Sequence, residues 1–228
     1  DIAFYTKISE HIMEYLRENT GGIEEFSIDE AFCDITGIPE YFKISTHDFL
    51  LKIQKDILEE IGIPVSIGCG NTRIKAKIFS PVNKPYGICF PDHQEDENIL
   101  FANSPRKKIP FIGKSSQEKL KYQSKTIKDF MHIGFRKLKE ILGKNGANLW
   151  LELMGIDVYI VKKSKQIKSI SRTRSFNHRI TTNQEFLKSQ ILINFERAFE
   201  VLYDNNLEIA EVGIMFRDKS FKQEYVFI

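Results

Sequence analysis

Apolar residues recur at helical spacing in three parts of the chain. An amphipathic helix is predicted over residues 3–18, with one apolar stripe formed by Phe4, Ile8, Ile12, Tyr15 and Leu16. A second helix begins at Ser45, where Asp48 three residues later suggests a short capping box, and it ends at Gly62. A third helix is predicted over about 183–203.

Runs of β-forming residues separate these helices. Phe26–Ile28 and Ala31–Ile35 predict a hairpin, and Ile63–Ile67 predicts a compact apolar strand. Further strands are predicted over 169–176, where residues alternate with period two, and over 208–217 and 223–228. This alternation of strands and helices predicts helices packed on small sheets.

The hairpin carries two adjacent carboxylates, Asp29 and Glu30, where its turn is expected. A two-residue hairpin turn favours Asn-Gly, Asp-Gly or Gly-X, so Asp-Glu is a poor choice on geometric grounds. Positions that break a local rule are often functional. Two hard oxygen ligands at a turn can meet a divalent cation and a polyphosphate, although an ordinary solvated acidic turn is the alternative.

Basic residues follow a glycine-containing loop. Gly68-Cys69-Gly70 leads into a helix predicted over Arg73–Phe79, and on its own this pattern is weak evidence for phosphate binding. Arg73 and Lys77 share one face of that helix by their four-residue spacing. Lys84 follows on a turn made rigid by Pro85 and Gly87.

Residues 91–105, rich in Asp, Glu, Asn and Pro, suggest a domain junction, and short helices are expected from there to about residue 158. Lys and Arg crowd 106–128 and 162–179, whereas acidic residues concentrate in the first hundred positions. The formal net charge is only +2, so the distribution of charge, rather than its sum, favours nucleic-acid binding. Solvated lysine-rich helix faces remain an alternative for each single run.

Bulk composition favours a folded chain. Of the 228 residues 42% are apolar, which is ample for packed cores and suits one to three small domains. The three cysteines, Cys33, Cys69 and Cys89, are well separated and predict small core residues of a reducing compartment. No leader and no membrane-length apolar run is visible, so we expect a cytoplasmic protein.

The string Ser-Ile-Asp-Glu-Ala-Phe at 27–32, followed by Asp34-Ile35-Thr36, resembles the palm signature of the Y-family DNA polymerases, the lesion-bypass enzymes of the DinB/UmuC kind. Ala76-Lys77 and Lys84-Pro85-Tyr86-Gly87 resemble the family's second palm signature. The resemblance implies that Lys84 contacts the triphosphate of the incoming nucleotide. It places Lys77, and with it Arg73, nearer the nucleic-acid backbone.

Two further stretches continue the resemblance in the family's order. Pro110-Phe111-Ile112-Gly113-Lys114-Ser115 is similar to the helix-hairpin-helix turn of the thumb, in which backbone N–H groups meet a DNA phosphate. This implies DNA contacts at Gly113, Lys114 and Ser115, with one departure, because Phe111 stands where such turns usually have glycine. The last stretch resembles a little-finger domain, implying DNA contacts at Lys168, Ser169, Arg172 and Arg174.

The resemblance covers nearly the whole chain and implies an α+β multidomain fold. A partial palm would span 1–90, a small helical thumb with the helix-hairpin-helix 91–160, a basic linker 161–168, and an incomplete αβ little finger 169–228. The third catalytic carboxylate, the fingers and the steric-gate residue of the family are expected before residue 1. A peptide for a sliding clamp is expected beyond Ile228.

The implied activity is template-directed transfer of deoxynucleotides to a primer 3′ end, in DNA damage tolerance. Asp29 and Glu30 would hold two Mg²⁺ ions, and the partners would be primer-template DNA and a deoxynucleoside triphosphate. A monomer without membrane association is expected. Because two carboxylates are a thin site for two ions, this chain is expected to bind DNA but extend a primer weakly or not at all. The alternatives are a non-catalytic DNA-binding relative and a cyclase acting on nucleoside triphosphates.

Overall fold

The computed structural model describes residues 2–161, 167–176, 183–218 and 220–227. The chain divides into two compact units, residues 1–165 and residues 166–228. The helices and strands of the first unit are, in order, α1 (Ile2–Asn19), β1 (Gly22–Ser27), β2 (Glu30–Asp34), α2 (Ile38–Phe42), α3 (Thr46–Ile61), β3 (Ile67–Gly68), α4 (Arg73–Phe79), β4 (Ile88–Cys89), α5 (Gln94–Asn103), a 3₁₀ turn (Arg106–Lys108), α6 (Lys114–Lys119), α7 (Ile127–Ile133) and α8 (Phe135–Leu153). Those of the second are α9 (Gln184–Asp204), β5 (Gly213–Arg217) and β6 (Gln223–Phe227).

The predicted helices α3 and α4 begin and end where the sequence indicates. Ser45 caps α3 by accepting a hydrogen bond from the backbone N–H of Asp48 at 3.0 Å, and Gly62 ends it in the left-handed conformation with φ of 79°. Thr72 caps α4 in the same way, accepting from the N–H of Lys75. Local capping chemistry therefore fixes these boundaries.

Helix α1 has the predicted length, and the second half of its predicted apolar stripe packs as expected. Tyr15 is buried in a small core with Phe49, Ile53 and Ile57 of α3, and Ile12 and Leu16 pack against that core. Phe4 was expected in this stripe and is 59% exposed. That expectation is wrong, because periodicity shows which face is apolar but not how far along it a neighbour extends.

The strand predicted over Ile63–Ile67 is largely wrong. Only Ile67–Gly68 form a strand, β3, which pairs in parallel with β4. Pro64 has no N–H to donate to a ladder, and Ile63 is 38% exposed. The apolar letters therefore do not form the buried strand that their composition suggests.

The expected domain junction at 91–105 contains helix α5. Its residue Phe101 is 1% exposed and stacks on Phe79 of α4 at 5.9 Å between ring centroids. Both belong to a larger core that runs from Ile74 to Leu153 and includes Ile127, Phe130, Leu138 and Leu149. The boundary predicted at 90/91 thus falls inside one compact unit, and the palm and thumb assignments stay predictions.

In the second unit, α9 matches the predicted helix, and β5 pairs with β6 as an antiparallel hairpin. The strand predicted over 208–217 begins only at Gly213. Residues 167–176 adopt no strand, so the strand predicted over 169–176 is wrong. Alternation alone does not make a strand when no neighbouring strand pairs with it. None of the described residues of this unit is buried.

In the parts of the chain that the structure describes, no helix is both long and apolar enough to cross a bilayer. All three cysteines lie in described segments and carry free thiols, with Cys89 buried and Cys33 and Cys69 partly buried. Residues 162–166, which include most of the basic linker predicted at 161–168, lie outside the described residues.

Candidate functional site

The acidic hairpin, residues 22–34, is an antiparallel pair whose register shifts near its tip. Partners run from Gly22↔Asp34 to Glu25↔Ala31, but Ser27 then pairs with Glu30. The extra residue in β1 is a bulge beside Phe26. Ile28 and Asp29 are therefore the two turn residues, and Glu30 is the first residue of β2. The prediction that Asp29 and Glu30 form the turn together is wrong by one position.

Hydrogen bonds of two serine hydroxyl groups stabilise this turn, which lacks the glycine that is usual in such turns. The Ser27 hydroxyl donates to the Asp29 carboxylate, and the Asp29 N–H lies 3.4 Å from the Ser27 oxygen. From α1, the Ser9 hydroxyl donates to the Ile28 carbonyl. A side chain that bonds its own backbone two residues on supports such turns. This geometry agrees with the expected supporting role of Ser27.

Asp29, in the turn, and Glu30, the residue after it, are both exposed to solvent. Glu30 accepts from the Lys77 ammonium at 2.7 Å, and its side chain keeps 46% of its exposure. Asp34, at the far end of β2, accepts from the Thr36 N–H at 2.9 Å. Hydrogen bonds from the side chain and backbone of Thr36 lower the pKa of Asp34, so this carboxylate is already engaged away from the tip.

The hairpin offers part of a coordination shell for a divalent cation. Asp29 and Glu30 supply hard oxygen atoms of the type that Mg²⁺ prefers. Among the described residues, no group of three or more His, Cys, Asp or Glu side chains could hold a metal ion. The two carboxylates therefore fit a cation as partial ligands, and the described part of the chain does not add a third ligand of this type beside them.

Helix α4 contacts the hairpin through two of its three basic side chains, Arg73 and Lys77. Arg73 donates from Nη2 to Glu24 at 3.2 Å, and its guanidinium lies 4.3 Å from the ring centroid of Phe32. Lys77 pairs with Glu30 and lies 4.4 Å from the ring centroid of Phe26. Each cation thus meets one carboxylate and one aromatic ring of the hairpin. The predicted DNA contacts of Arg73 and Lys77 stay predictions, since these contacts hold both side chains on the protein.

Glu24 is a site residue that the sequence did not indicate. It is 5% exposed, although a glutamate in a two-stranded hairpin would ordinarily be solvated. The pairing with Arg73 compensates its burial, and the Arg73 Nε atom has no hydrogen-bond partner among the described residues. Its position two residues before Phe26 places it on the strand face that α4 covers. This two-residue spacing from Phe26 is the feature of the sequence that could have identified Glu24 as a site residue.

The glycines before α4 serve close packing. A Cβ atom at Gly68 would lie 2.1 Å from the Ser80 nitrogen and 2.2 Å from the Ala76 carbonyl oxygen. One at Gly70 would lie 2.9 Å from the Lys75 Cβ. Because α4 lies directly against this strand, only glycine fits at Gly68. The pattern that resembled a phosphate loop is explained by helix packing.

Lys84 is exposed on the turn that leads to β4. The Asn83 amide donates to the Ile88 carbonyl at 2.7 Å and closes this turn. A Cβ at Gly87 would lie 2.0 Å from the Asn83 carbonyl oxygen, so glycine is required there. The turn therefore presents the Lys84 ammonium to solvent from a fixed backbone, and its contact with a triphosphate stays a prediction.

Residues 109–115 connect the 3₁₀ turn to α6. Phe111 has a positive φ of 64°, the conformation for which glycine is usual, and Gly113 caps α6 without a side-chain hydrogen bond. Gly113, Lys114 and Ser115 are exposed. These three predicted DNA contacts are thus accessible, and their phosphate binding remains untested.

Arg106 belongs to the basic run predicted to meet DNA, but its guanidinium is used internally. It donates to the Gln117 carbonyl at 3.0 Å, to the Leu120 carbonyl at 2.5 Å and to the Ser124 carbonyl. An arginine that satisfies the last carbonyls of a helix stabilises its end. Charge runs in a sequence do not distinguish such a cap from a solvent-facing side chain.

The predicted DNA contacts of the second unit are solvent-exposed. Lys168, Ser169, Arg172 and Arg174 all lie in the described segment 167–176. Arg172 donates from Nε to the Arg197 carbonyl of α9 at 3.3 Å. Since the segment forms no strand, the faces expected from period-two alternation do not exist.

Comparison with known proteins finds a family model and several relatives that this chain resembles. Residues 1–81 match the model of the impB/mucB/samB family. DNA polymerase IV of Fusobacterium nucleatum is 30% identical over 222 residues, covering 96% of this chain and 62% of that protein. DNA polymerase IV of Pasteurella multocida is 31% identical over 181 residues, covering 79% of this chain and 50% of that protein. The chain therefore spans roughly half to two thirds of the length of these relatives.

Solved structures share the fold over the whole chain. A chimeric Y-family DNA polymerase built from Dbh and Dpo4 superposes with a TM-score of 0.80 at 20% identity, covering 100% of this chain and 65% of that one. A DinB family error-prone DNA polymerase from Sulfolobus solfataricus gives a TM-score of 0.63 at 21% identity, covering 100% and 67%. At these identities the likeness concerns the fold.

Proposed function

We propose that this chain belongs to the Y family of DNA polymerases and forms part of a template-directed polymerase of the lesion-bypass type; the relatives and the shared fold support this proposal. The observation that supports this best is the acidic hairpin. Two exposed carboxylates stand at its turn, and α4 fixes the hairpin beneath them through Arg73 and Lys77. A fixed backbone with exposed oxygen atoms suits a site that must position a cation and a polyphosphate.

In the proposed reaction the primer 3′-hydroxyl attacks the α-phosphate of an incoming deoxynucleotide, and pyrophosphate leaves. Asp29 and Glu30 would hold divalent cations there, Mg²⁺ by preference, with Glu30 nearer the primer terminus. When bound, such ions lower the pKa of the attacking hydroxyl and neutralise charge on the phosphates. The remaining ligands would come from water, from substrate and from residues outside this chain.

The proposed substrate contacts lie on three exposed segments. Lys84 would meet the triphosphate as a point charge. Gly113, Lys114 and Ser115 would meet a primer phosphate through backbone N–H groups and side chains. Lys168, Ser169, Arg172 and Arg174 would follow the duplex backbone, with affinity that falls as salt increases.

These roles use the domains expected from the sequence, with the acidic hairpin on the palm, the 109–115 segment on the thumb and the second unit as little finger. The monomeric state, the cytoplasmic location and attachment to a sliding clamp stay predictions from the resemblance.

The test is primer extension with Mg²⁺ on an undamaged template and on a template with one abasic site. The complete protein that carries this chain is compared with its Asp29→Asn, Glu30→Gln double variant. We expect extension by the complete protein and a loss of at least about a hundredfold in the variant. Glu59→Gln with Glu60→Gln is the matched control, because these exposed neighbours at the end of α3 give the same change in charge.

The outcomes separate the alternatives. DNA binding without metal-dependent extension by the complete protein would favour the non-catalytic relative. Consumption of nucleoside triphosphate without DNA would favour the cyclase. This chain by itself is expected to bind primer-template DNA but to extend it weakly or not at all, since only two carboxylates, Asp29 and Glu30, stand at the tip of the hairpin.

A further inference from the structure

Phe111 occupies a backbone conformation that its side chain disfavours. Its φ of 64° lies in the left-handed region, where a residue with a Cβ is strained and glycine is not. Its ring is 50% exposed, so burial in a core does not explain why an aromatic residue is used. A strained position of this kind points to a local role that the surrounding contacts sustain.

The ring of Phe111 contacts the acidic hairpin. It packs edge to face on Phe26 of β1, with ring centroids 6.0 Å apart and an interplanar angle of 68°. Phe26 packs edge to face in turn on Phe32 of β2, at 5.7 Å and 80°. We name Phe111, Phe26 and Phe32 the aromatic bridge. The Asn145 amide of α8 donates to the Phe111 carbonyl at 3.3 Å, which holds the outer end of the bridge.

Phe26 lies where the hairpin is least constrained by its own ladder. The register shift falls between Glu25 and Ser27, so Phe26 is the residue at the bulge. A bulge re-aims the residues that follow it, and its twist is set by contacts as well as by hydrogen bonds. Asp29 and Glu30 follow three and four residues later, so both carboxylates lie in the part of the hairpin that comes directly after the bulge.

From these contacts we propose that Phe111 is a positioning residue for the acidic hairpin. Through Phe26 it couples the 109–115 segment to the placement of Asp29 and Glu30. The inference rests on the proposed polymerase function, since it gives that placement a catalytic consequence. Lys77 meets Phe26 through its ammonium, 4.4 Å from the ring centroid, so the bulge is held by α4 as well as by Phe111.

The first test is kinetic and uses the complete protein. Phe111→Gly removes the ring and relieves the backbone strain at once, so the variant is expected to fold. We expect the single-turnover rate of nucleotide addition to fall about tenfold, because small misplacement of catalytic groups is costly. The dissociation constant for primer-template DNA should change less than about twofold. Tyr122→Leu is the control, since Tyr122 is an aromatic residue of the same region and is 93% exposed.

A double variant tests whether the effect runs through Phe26. If the bridge is the route, Phe26→Leu combined with Phe111→Gly loses little more rate than Phe26→Leu alone, because both changes break one contact. Independent, additive losses would overturn the proposal. A rate loss in Phe111→Gly no larger than that in Tyr122→Leu would also overturn it.

The second test needs no activity and can be made on this chain. Amide hydrogen exchange should become about fivefold faster in residues 23–34 of Phe111→Gly and stay within about twofold in α3. Faster exchange spread equally over both regions would mean a general loss of stability and contradict positioning. If the complete wild-type protein fails to extend primers, the proposed function fails, and localised exchange still decides whether Phe111 holds the hairpin.

Discussion

Two carboxylate sites in the first unit are built in opposite ways. Glu152 of α8 is fully buried, and its Oε1 accepts from the N–H groups of Val158 at 2.6 Å and Tyr159 at 2.8 Å. Its Oε2 accepts from the Ile74 N–H at 3.2 Å. Asp29 and Glu30 instead stand exposed at the hairpin turn.

The two sites differ in whether their carboxylate oxygen atoms are available to bind a ligand. Burial of an ionised carboxylate is costly unless hydrogen bonds replace its water, and three backbone donors do so for Glu152. One of these donors lies at the start of α4 and two lie in the segment after α8. By accepting from all three, Glu152 links the two segments and stabilises α4, the helix that contacts the acidic hairpin. The exposed pair keeps oxygen atoms available for a ligand. Burial and partners, rather than residue type, therefore separate a structural carboxylate from a candidate functional one.

The largest expected effect comes from breaking the buried site. Glu152→Leu keeps the volume but leaves three backbone N–H groups without an acceptor, so the free energy of unfolding should fall by about 4 kcal/mol. Urea unfolding measures this. The control is Glu140→Leu on the same helix, an exposed partner of Lys137 at 2.9 Å, which should cost less than about 0.5 kcal/mol. A similar small cost at both positions would contradict the structural role of Glu152.

The next effect tests the buried pair beneath the hairpin. Glu24→Leu leaves the Arg73 guanidinium buried without its carboxylate, and we expect a loss of about 3 kcal/mol in stability. Adding Arg73→Met should recover part of that loss, because the uncompensated charge is then removed. The measurement is a double-mutant cycle from urea unfolding. Strictly additive losses would show that the pair contributes no coupling.

A smaller effect concerns the exposed tip. Lys77→Met removes a positive charge beside Glu30, so Mn²⁺, used as a probe for Mg²⁺, should bind this chain about fivefold more tightly. Water proton relaxation measures the affinity. Lys52→Met, which removes the partner of Asp56 on α3, is the control and should leave the affinity unchanged. Equal affinity in the Lys77 variant and the wild type would show that Glu30 takes no part in cation binding.

The last expected effect is on a rate of chemical modification, and it distinguishes the base of the hairpin from its tip. Cys33 pairs with buried Ile23 across the strands, and burial raises the pKa of its thiol to about 11. Alkylation of Cys33 at pH 8, followed by peptide mapping, should therefore be about a hundredfold slower in the folded chain than in urea. The unfolded thiol ionises first, so the stability supplied by the neutral thiol is complete below about pH 9 and decreases towards pH 11. Equal alkylation rates of Cys33 in the folded chain and in urea would contradict its burial at the base of the hairpin.

Much of the hairpin and its helices could be predicted because the signals are local. The caps of α3 and α4 depend on Ser45, Gly62 and Thr72, which act within four residues of themselves. The strand at Ile63–Ile67 was predicted wrongly from composition, and the junction expected at 91–105 contains helix α5 within one compact unit. Pro64 has no N–H to donate within the predicted strand. In the segment 91–105, helix α5 places Phe101 in the core.

The sequence by itself indicated the resemblance to a polymerase family, the acidic hairpin and the caps of α3 and α4, because each is encoded by neighbouring residues. The tertiary structure alone decided which charges stay exposed. Arg73 pairs with Glu24 across 49 positions, Lys77 pairs with Glu30 across 47, and Glu152 accepts from Ile74 across 78. Such contacts depend on how separate elements pack, and desolvation at that packing fixes the role of each charge. No local pattern contains this information.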